Sequence, residues 1–452
     1  MATRTTVQVS GDDLSVSEGV VAFGAYPYAR FMNPARDAAL NFPFLKLDRA
    51  AYEKAANAEG TRAVMFRSII LENEYLRLTF LPDLGGRLFQ ITYKPTGQDL
   101  LYNNKVLKPT GWGPAQQSGW LAAGGMEWAL PVNEHGYEWG IPWQYSVTRN
   151  ASAVGITLTD SMAADRVRAR ITVTLPSHTA SIMLQPRIEN PTSTAARVQF
   201  WLNAQIRLGS GTRVAPGTSF ILPAKSVWIH STGDPFIPEA NIPPDGAASP
   251  LAPVPWPVVG GVDLSRYANW QDYLGVFAAE MSQPFVGVFD PGIRLGLVRV
   301  FPMQAAPGVK LFGFGQRFCC RGAFADDGSD YVELWGGLPR TFFASDDVTL
   351  SPGETRDWTE YWVPVMGTAG LSSATRDGAL YLSAAGGTAQ IGAYTTRRRD
   401  ATVVLLENGN EVNRWHAAIG PGSAFDRTIP VGPGSLQLRL LDSTGNVLCE
   451  IK

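Results

Sequence analysis

The amino-acid sequence predicts an all-β protein, and three observations lead there. Apolar and polar residues alternate in Leu76-Arg77-Leu78-Thr79-Phe80, in Val167-Arg168-Ala169-Arg170-Ile171-Thr172-Val173 and in Leu436-Gln437-Leu438-Arg439-Leu440. A period of two puts one side-chain set on each face, as in half-buried antiparallel strands. The 452 residues include 46 glycines and 32 prolines, more than the roughly 12% these two types average together, so turns are frequent and strands short. Charged residues make up only 17% against roughly 25% on average, which leaves little material for amphipathic surface helices.

The chain is too long for one compact core at roughly 100–200 residues per domain. Three units are expected: residues 1–65 as a β-rich N-terminal extension or lobe, 66–367 as the main domain, and 368–452 as a small C-terminal β-sandwich. Within the first unit, Asp48 to Glu59 carries the Ala/Glu/Lys composition of a helix, with Asp48 placed to cap its start and Gly60 to end it. Within the second, eight prolines fall between Gly233 and Gly260. They exclude a strand or helix interior and predict a long surface loop, ordered by Phe236 and Trp256 as a lid or binding wall. The break before the third unit falls at Met366-Gly367-Thr368-Ala369-Gly370. Beyond it, strand-like runs are separated by Asn408-Gly409, Gly420-Pro421-Gly422 and Thr444-Gly445-Asn446, which are turn signals.

Charge excludes one partner class. Lys plus Arg (38) against Asp plus Glu (40) gives a net charge of −2, with no basic surplus to neutralise a phosphate backbone, so no nucleic acid is expected. No 18-residue apolar run occurs, so no membrane partner is expected. Met1-Ala2-Thr3-Arg4-Thr5-Thr6 lacks the succession of a signal peptide, which makes a cytoplasmic location the expectation; a secreted protein with its signal removed would read the same. Cys319 and Cys320 are adjacent and Cys449 is far away. All three are read as free thiols, and with no zinc-ligand spacing no metal or cofactor is expected. Oligomeric state is left open.

Aromatic residues reach 11%, with 13 tryptophans. Five of these, Trp112, Trp120, Trp128, Trp139 and Trp143, fall in one segment with Gly124-Gly125, Glu127, Asn133, Glu134, His135 and Glu138. Aromatic faces stack on the C–H face of a sugar ring, carboxylates and amides bind its hydroxyls, and glycines let backbone come close, so the segment reads as a carbohydrate site. The competing reading is a Trp-rich core under a Gly-rich loop. Asn133-Glu134-His135-Gly136 follows Pro131 in a turn-like setting that exposes polar groups. Of four histidines His135 alone lies among acids, with Glu134 and Glu138 close in sequence; His178 sits in a turn, and His230 and His416 in strand-like runs.

Sugar hydrolysis needs two carboxyl groups, one protonated and one ionised. Glu127 lies between Met126 and Trp128, and Glu333 between Val332 and Leu334. Strand alternation puts Tyr331 and Trp335 on the side of Glu333, and burial beside aromatics would raise its pKa. Alternation could equally turn either acid to solvent. Glu360, in Trp358-Thr359-Glu360-Tyr361-Trp362, ranks third, and Arg87 stands in a turn where it could bind a carboxylate or hydroxyl.

The stretch Leu71-Glu72-Asn73-Glu74-Tyr75-Leu76-Arg77-Leu78-Thr79-Phe80-Leu81-Pro82-Asp83-Leu84-Gly85-Gly86-Arg87-Leu88 resembles the opening of galactose-mutarotase-like β-supersandwich domains. It is most similar to a bacterial family of largely uncharacterised domains often joined to tetratricopeptide repeats. Gly124-Gly125-Met126-Glu127-Trp128 with His135-Gly136, Trp201-Leu202-Asn203-Ala204, Tyr331-Val332-Glu333-Leu334, Leu350-Ser351-Pro352-Gly353-Glu354 and Trp358-Thr359-Glu360-Tyr361-Trp362 follow in matching order across about residues 65–366. The resemblance implies a large antiparallel β-supersandwich with a carbohydrate on its concave face. It also implies a glutamate base near the domain's end, with Glu333 in that place, and histidine acids, with His135 in one such place. The Asn-His-x-Tyr-Phe-Asn pattern of mutarotases is absent, and no second histidine is well placed.

Residues and resemblance together give the expected function: a carbohydrate-active enzyme, foremost a glycoside hydrolase with Glu127 and Glu333 as its acid–base or nucleophile pair and His135 assisting. Arg87, Trp112, Trp120, Trp128, Glu134, Trp139, Asn203, Tyr331 and Trp335 would bind the sugar. The alternatives are a polysaccharide lyase, with Tyr331 or His135 as base and Arg87 neutralising a uronate, a sugar epimerase, and a carbohydrate-binding protein without catalysis.

Overall fold

A computed structural model describes residues 5–7 and 13–452. Residues 1–4 and 8–12, which hold most of the stretch read for a signal peptide and the start of the expected N-terminal unit, lie outside the described residues. The described structure is 51% strand and 7% helix, so the fold is all-β. The expected helix forms as α1 (Arg49–Glu59): Asp48 Oδ1 accepts from the Ala51 amide, and Gly60 ends it with a positive φ of 65° that favours glycine. No helix among the described residues is long and apolar enough to cross a membrane.

Two large sheets stack face to face, one of fifteen strands and one of nine among the described residues. Pairing is antiparallel throughout, apart from a short parallel contact of Gly24–Ala25 with Val106–Leu107. Seven strands of the larger sheet position the site: β1 (Arg87–Tyr93), β2 (Met126–Ala129), β3 (Trp201–Ile206), β4 (Ser226–Thr232), β5 (Tyr273–Ala278), β6 (Gly308–Phe314) and β7 (Val332–Gly337). Their order across the sheet is β1-β2-β3-β7-β6-β5-β4.

Alternation sorts their side chains between two layers. Met126, Trp128, Leu202, Ala204, Val309, Leu311, Val332 and Leu334 face the smaller sheet and pack with its Ile156, Ile171, Val173, Leu184, Leu297 and Trp362. Burying such side chains contributes roughly 1.5–3 kcal/mol each, and this inter-sheet layer is the main core. Glu127, Asn203, Gln205, Lys310, Phe312, Glu333 and Trp335 occupy the alternate positions and project from the opposite face of the same strands.

The remaining segments build on these sheets. Ser15–Ala25 pairs along its whole length with Arg62–Glu72 of the larger sheet, so this part of the N-terminal region extends the main sheet. From Ser373 onward, two four-stranded sheets enclose their own core of Leu380, Ile391, Val403, Leu405, Leu438 and Leu440. A separate apolar cluster joins Leu371, Ala374, Ala379 and Tyr394 to Phe285, Phe289, Val298 and Val363 of the smaller large sheet.

One expectation is corrected here. Cys319 and Cys320 are not free thiols but are bonded to each other as a disulfide between adjacent residues, while Cys449 is free and buried. Spacing rules address disulfides that close chain loops, and a bond between neighbours closes none, so counting cysteines could not foresee it.

Candidate functional site

On the outer face of β7, β6, β5 and β4 lies a cavity of about 720 Å³, within the roughly 300–1,000 Å³ of small-molecule sites. Glu333 and Lys310 line it from β7 and β6, and His230 from β4. Asn133, Glu134 and His135 enter from the loop after β2, in which Glu134 and Gly136 both adopt left-handed backbone (φ 53° and 58°) and turn the chain sharply. The Pro-rich segment supplies a wall through Pro243, Pro244, Asp245, Gly246 and Ala247. Trp256 and Phe236 anchor that segment on the main core, as expected for a binding wall.

Opposite the polar residues, Trp112 lines the cavity while 37% exposed. Its ring is held edge-on by Tyr273 (5.1 Å), Phe312 (5.7 Å), Phe314 (6.0 Å) and Phe324 (5.6 Å). A tryptophan fixed at its edges with accessible surface left over can stack on the apolar face of a sugar ring.

Glu127 does not reach the cavity wall. It is 1% exposed and takes four hydrogen bonds: from Arg87 Nη2 (3.0 Å) and Trp120 Nε1 (3.0 Å) at Oε2, and from His135 Nδ1 (2.5 Å) and Asn203 Nδ2 (3.2 Å) at Oε1. Burial alone would push its carboxyl up. The charges of His135 and Arg87 and the hydrogen bonds from His135 and Trp120 outweigh burial and hold it below the ordinary carboxylate range. The carboxylate thereby keeps a proton on Nδ1 of His135 and leaves Nε2 without a partner among the described residues. The imidazole is also stacked on Trp120 at 3.8 Å and 15°, which fixes its plane. A ring so held can pass a proton at Nε2 to or from a ligand.

Glu333 has the opposite setting. It lines the cavity, accepts from Trp335 Nε1 at 2.8 Å, and is pushed above its ordinary pKa chiefly by burial, with His135, Lys310 and the Trp335 bond pulling the other way. Burial also pushes the Tyr331 phenol well above its usual value, with Glu333 adding to the effect, and its hydroxyl has no hydrogen-bond partner. Glu333 therefore holds its proton to higher pH than an ordinary carboxyl, which suits proton exchange with sugar hydroxyls, while Tyr331 stays a neutral phenol able to offer a hydrogen bond.

Of the expected site residues, the cavity brings together Trp112, Trp120, Glu134, His135, Tyr331 and Glu333. Arg87, Glu127 and Asn203 form the layer behind His135, and Trp335 lies beneath Glu333. Arg87 cannot meet a ligand: it is fully buried between Glu127 and the Gly124 carbonyl. Trp128 faces the inter-sheet core and donates to the Gly86 carbonyl at 2.9 Å. Trp139 donates to Gln117 Oε1 at 2.7 Å beside a separate cavity of about 110 Å³. Both tryptophans belong to packing, as the Trp-rich core reading has it.

Further differences have local reasons. Gly124 and Gly125, at φ 89° and 81°, bend the chain so tightly that a Cβ would sit 2.2 Å from the Tyr102 carbonyl oxygen at Gly124 and 2.8 Å from that of Leu88 at Gly125. Their freedom serves a sheet contact, not a ligand. The charge partner of His135 is Glu127; Glu138 turns away to Arg166 (3.4 Å). Glu360 is fully buried against Arg299 and the indoles of Trp358 and Trp362, an internal ion pair in the other sheet.

A second histidine does reach the site. His230 sits at a register shift between Ile229 and Ser231, which re-aims its side chain to the cavity. Sequence reasoning also missed Lys310, although a lone cation in the alternating run Val309-Lys310-Leu311-Phe312 is a signal of its own. Among the described residues one group could offer metal ligands, Asp13, Glu74 and His178; it is partly exposed and away from the cavity.

Comparison with known proteins places this architecture. The family described as a domain of unknown function, DUF5107, matches residues 42–365, and the family described as the second domain of YphG-like proteins matches residues 373–451. A TPR-domain containing protein from Parabacteroides distasonis ATCC 8503 is 21% identical, with a TM-score of 0.62 over 79% of this chain and 56% of its own. This chain thus spans little more than half the length of that protein, and at this identity the likeness concerns the fold. Slr1438 from Synechocystis sp. PCC 6803 aligns at 17% identity and TM-score 0.46 over 66% of this chain and 96% of its own. A galactose mutarotase-like protein from Clostridium acetobutylicum aligns at 10% identity and TM-score 0.45 over 67% and 96%. The resemblance read from the sequence to an uncharacterised family with tetratricopeptide-containing members is met in the DUF5107 match and in the fold of the TPR-domain containing protein.

Proposed function

The chain belongs to the DUF5107 family, and from that premise and the geometry of its cavity we propose that it binds a sugar and interconverts the anomers of its reducing end. The observation that carries this reading is the pairing, in one cavity, of a carboxyl raised by burial, Glu333, with an imidazole whose rear nitrogen is tied to a buried carboxylate, His135. In the reaction Glu333 accepts the proton of the C1 hydroxyl while His135 Nε2 donates one to the ring oxygen. The bond between C1 and the ring oxygen breaks and an open-chain aldehyde forms. Rotation about the C1–C2 bond followed by the reverse transfers closes the other anomer and returns both protons. Trp112 supports the ring, and Glu127 acts through His135 as a positioning residue.

A second reading, glycoside hydrolysis, is favoured by one observation: Glu134 and Glu333 line the same cavity. Glu127, fully engaged behind His135, would take no direct part in it. One experiment separates the readings. Anomer exchange is followed by NMR for a panel of free sugars, and release of reducing ends is followed for oligosaccharides, with wild type and Glu333→Gln. Faster anomer exchange without new reducing ends, lost in Glu333→Gln, supports the first reading. New reducing ends support the second, and binding with neither reaction would leave a carbohydrate-binding protein.

A further inference from the structure

We propose that the cavity is built for a sugar bearing an anionic group, a carboxylate or a phosphate, and that Lys310 receives that group. This inference rests on the sugar-binding reading above and names its substrate class.

Lys310 is 5% exposed and lines the cavity. On its own sheet face it stands between Phe277 of β5 and Trp335 of β7, its cross-strand neighbours on either side. Phe342 closes over it, and the ammonium lies 4.3 Å from the ring of Phe342, 4.7 Å from Trp335 and 5.2 Å from Phe312. No hydrogen bond and no ion pair joins Nζ to any described residue, although it carries three donor hydrogens.

An ammonium taken from water without hydrogen-bond acceptors is costly, and π faces offset only part of that cost. Burial accordingly lowers its pKa to about 8, with Glu333 and Glu134 acting against that shift from a distance. The third titratable group facing it, His230, is held well below its ordinary value by burial and by Lys310 itself, so it adds no positive charge of its own. Lys310 therefore stays mostly charged near neutrality and open to an acceptor. The other buried cations of the main domain differ: Arg87 is paired with Glu127, Arg166 with Asp160 and Arg299 with Glu360. The cation expected to neutralise a uronate, Arg87, is thus occupied, and Lys310 is free on the cavity side. A carboxylate or phosphate entering beside it would complete the pair through charge-assisted hydrogen bonds, worth about tenfold or more in affinity.

The test measures binding by calorimetry for glucose, galactose, glucuronate, galacturonate and glucose 6-phosphate, with wild type and Lys310→Met. Wild type is expected to bind at least one anionic sugar about tenfold or more tighter than its neutral parent. That preference should weaken as sodium chloride is raised and vanish in Lys310→Met. The uronate and phosphate arms tell which anion is taken. Methionine fits the aromatic surroundings, so the variant should melt no lower than wild type. Should it fail to fold, the salt dependence of wild type decides alone. Equal affinity for neutral and anionic sugars, or an anionic preference that survives Lys310→Met, would overturn the inference and leave the sugar-binding reading standing. Binding of none of the five sugars would overturn both.

Discussion

Glu127 and Glu333 project from the same face of one sheet, yet their surroundings give them opposite parts. Four donors, one of them the Arg87 guanidinium, keep Glu127 ionised; burial, opposed by one indole bond and by Lys310, leaves Glu333 open to a proton. Glu333→Gln is expected to lower kcat by two or more orders of magnitude with KM nearly unchanged, as loss of a general base does; steady-state kinetics check this. Arg87→Met should act on stability instead. It strands the Glu127 carboxylate, and urea unfolding should record a loss of about 3–5 kcal/mol. A third prediction concerns pH. Burial and the neighbouring Asp160 push the Glu138 carboxyl up to about 8. Between the ordinary carboxyl range and pH 8 the folded state then holds a proton that the unfolded chain releases, so stability falls as pH rises through that window. Unfolding midpoints across pH 5 to 8 should show this slope in wild type and a flatter one in Glu138→Gln. The residue types of the site were legible because acids, histidine and tryptophan crowd one stretch of sequence. Which acid lines the cavity was not, because Glu127 and Glu333 share the same apolar flanks and differ only in long-range neighbours such as Arg87 and His135.

At the scale of elements, strand alternation was read correctly, but its outer face was taken to be either solvent or cleft. The outer face of β1, β2, β3, β7 and β6 is neither at every point: it carries a buried polar layer, Arg87, Glu127 and Asn203, beside the cavity. The helix was legible from its caps, and the binding wall from its prolines. His230 was not, because its place depends on a register shift that leaves no mark in composition. The Pro-rich wall carries its own prediction. Replacing Pro243 and Pro244 with glycine frees a segment that must order around the ligand. This should weaken sugar binding by roughly 0.5–1.5 kcal/mol, about two- to tenfold, with little change in melting temperature. Titration of tryptophan fluorescence, to which Trp112 contributes, reads the affinity.

For the molecule as a whole, two stacked sheets supply rigidity, and the strands and loops of one face line the cavity. The family resemblance made this arrangement legible in advance, since periodicity alone gives strands and not their order. The C-terminal sheets are joined to the main body by a shared apolar cluster of Phe285, Phe289, Val298, Leu371 and Tyr394. Ending the chain at residue 367 would expose that face, and the shortened protein is expected to aggregate or melt at lower temperature in a thermal scan. A crystal structure with the best-binding sugar of the calorimetric panel shows whether Glu333 and His135 flank its reducing end. The C1 hydroxyl is expected at about 2.6–3.2 Å from a Glu333 oxygen, with the ring oxygen equally close to His135 Nε2. A sugar seated in the cavity with its reducing end away from both side chains, or bound outside the cavity, would contradict that expectation.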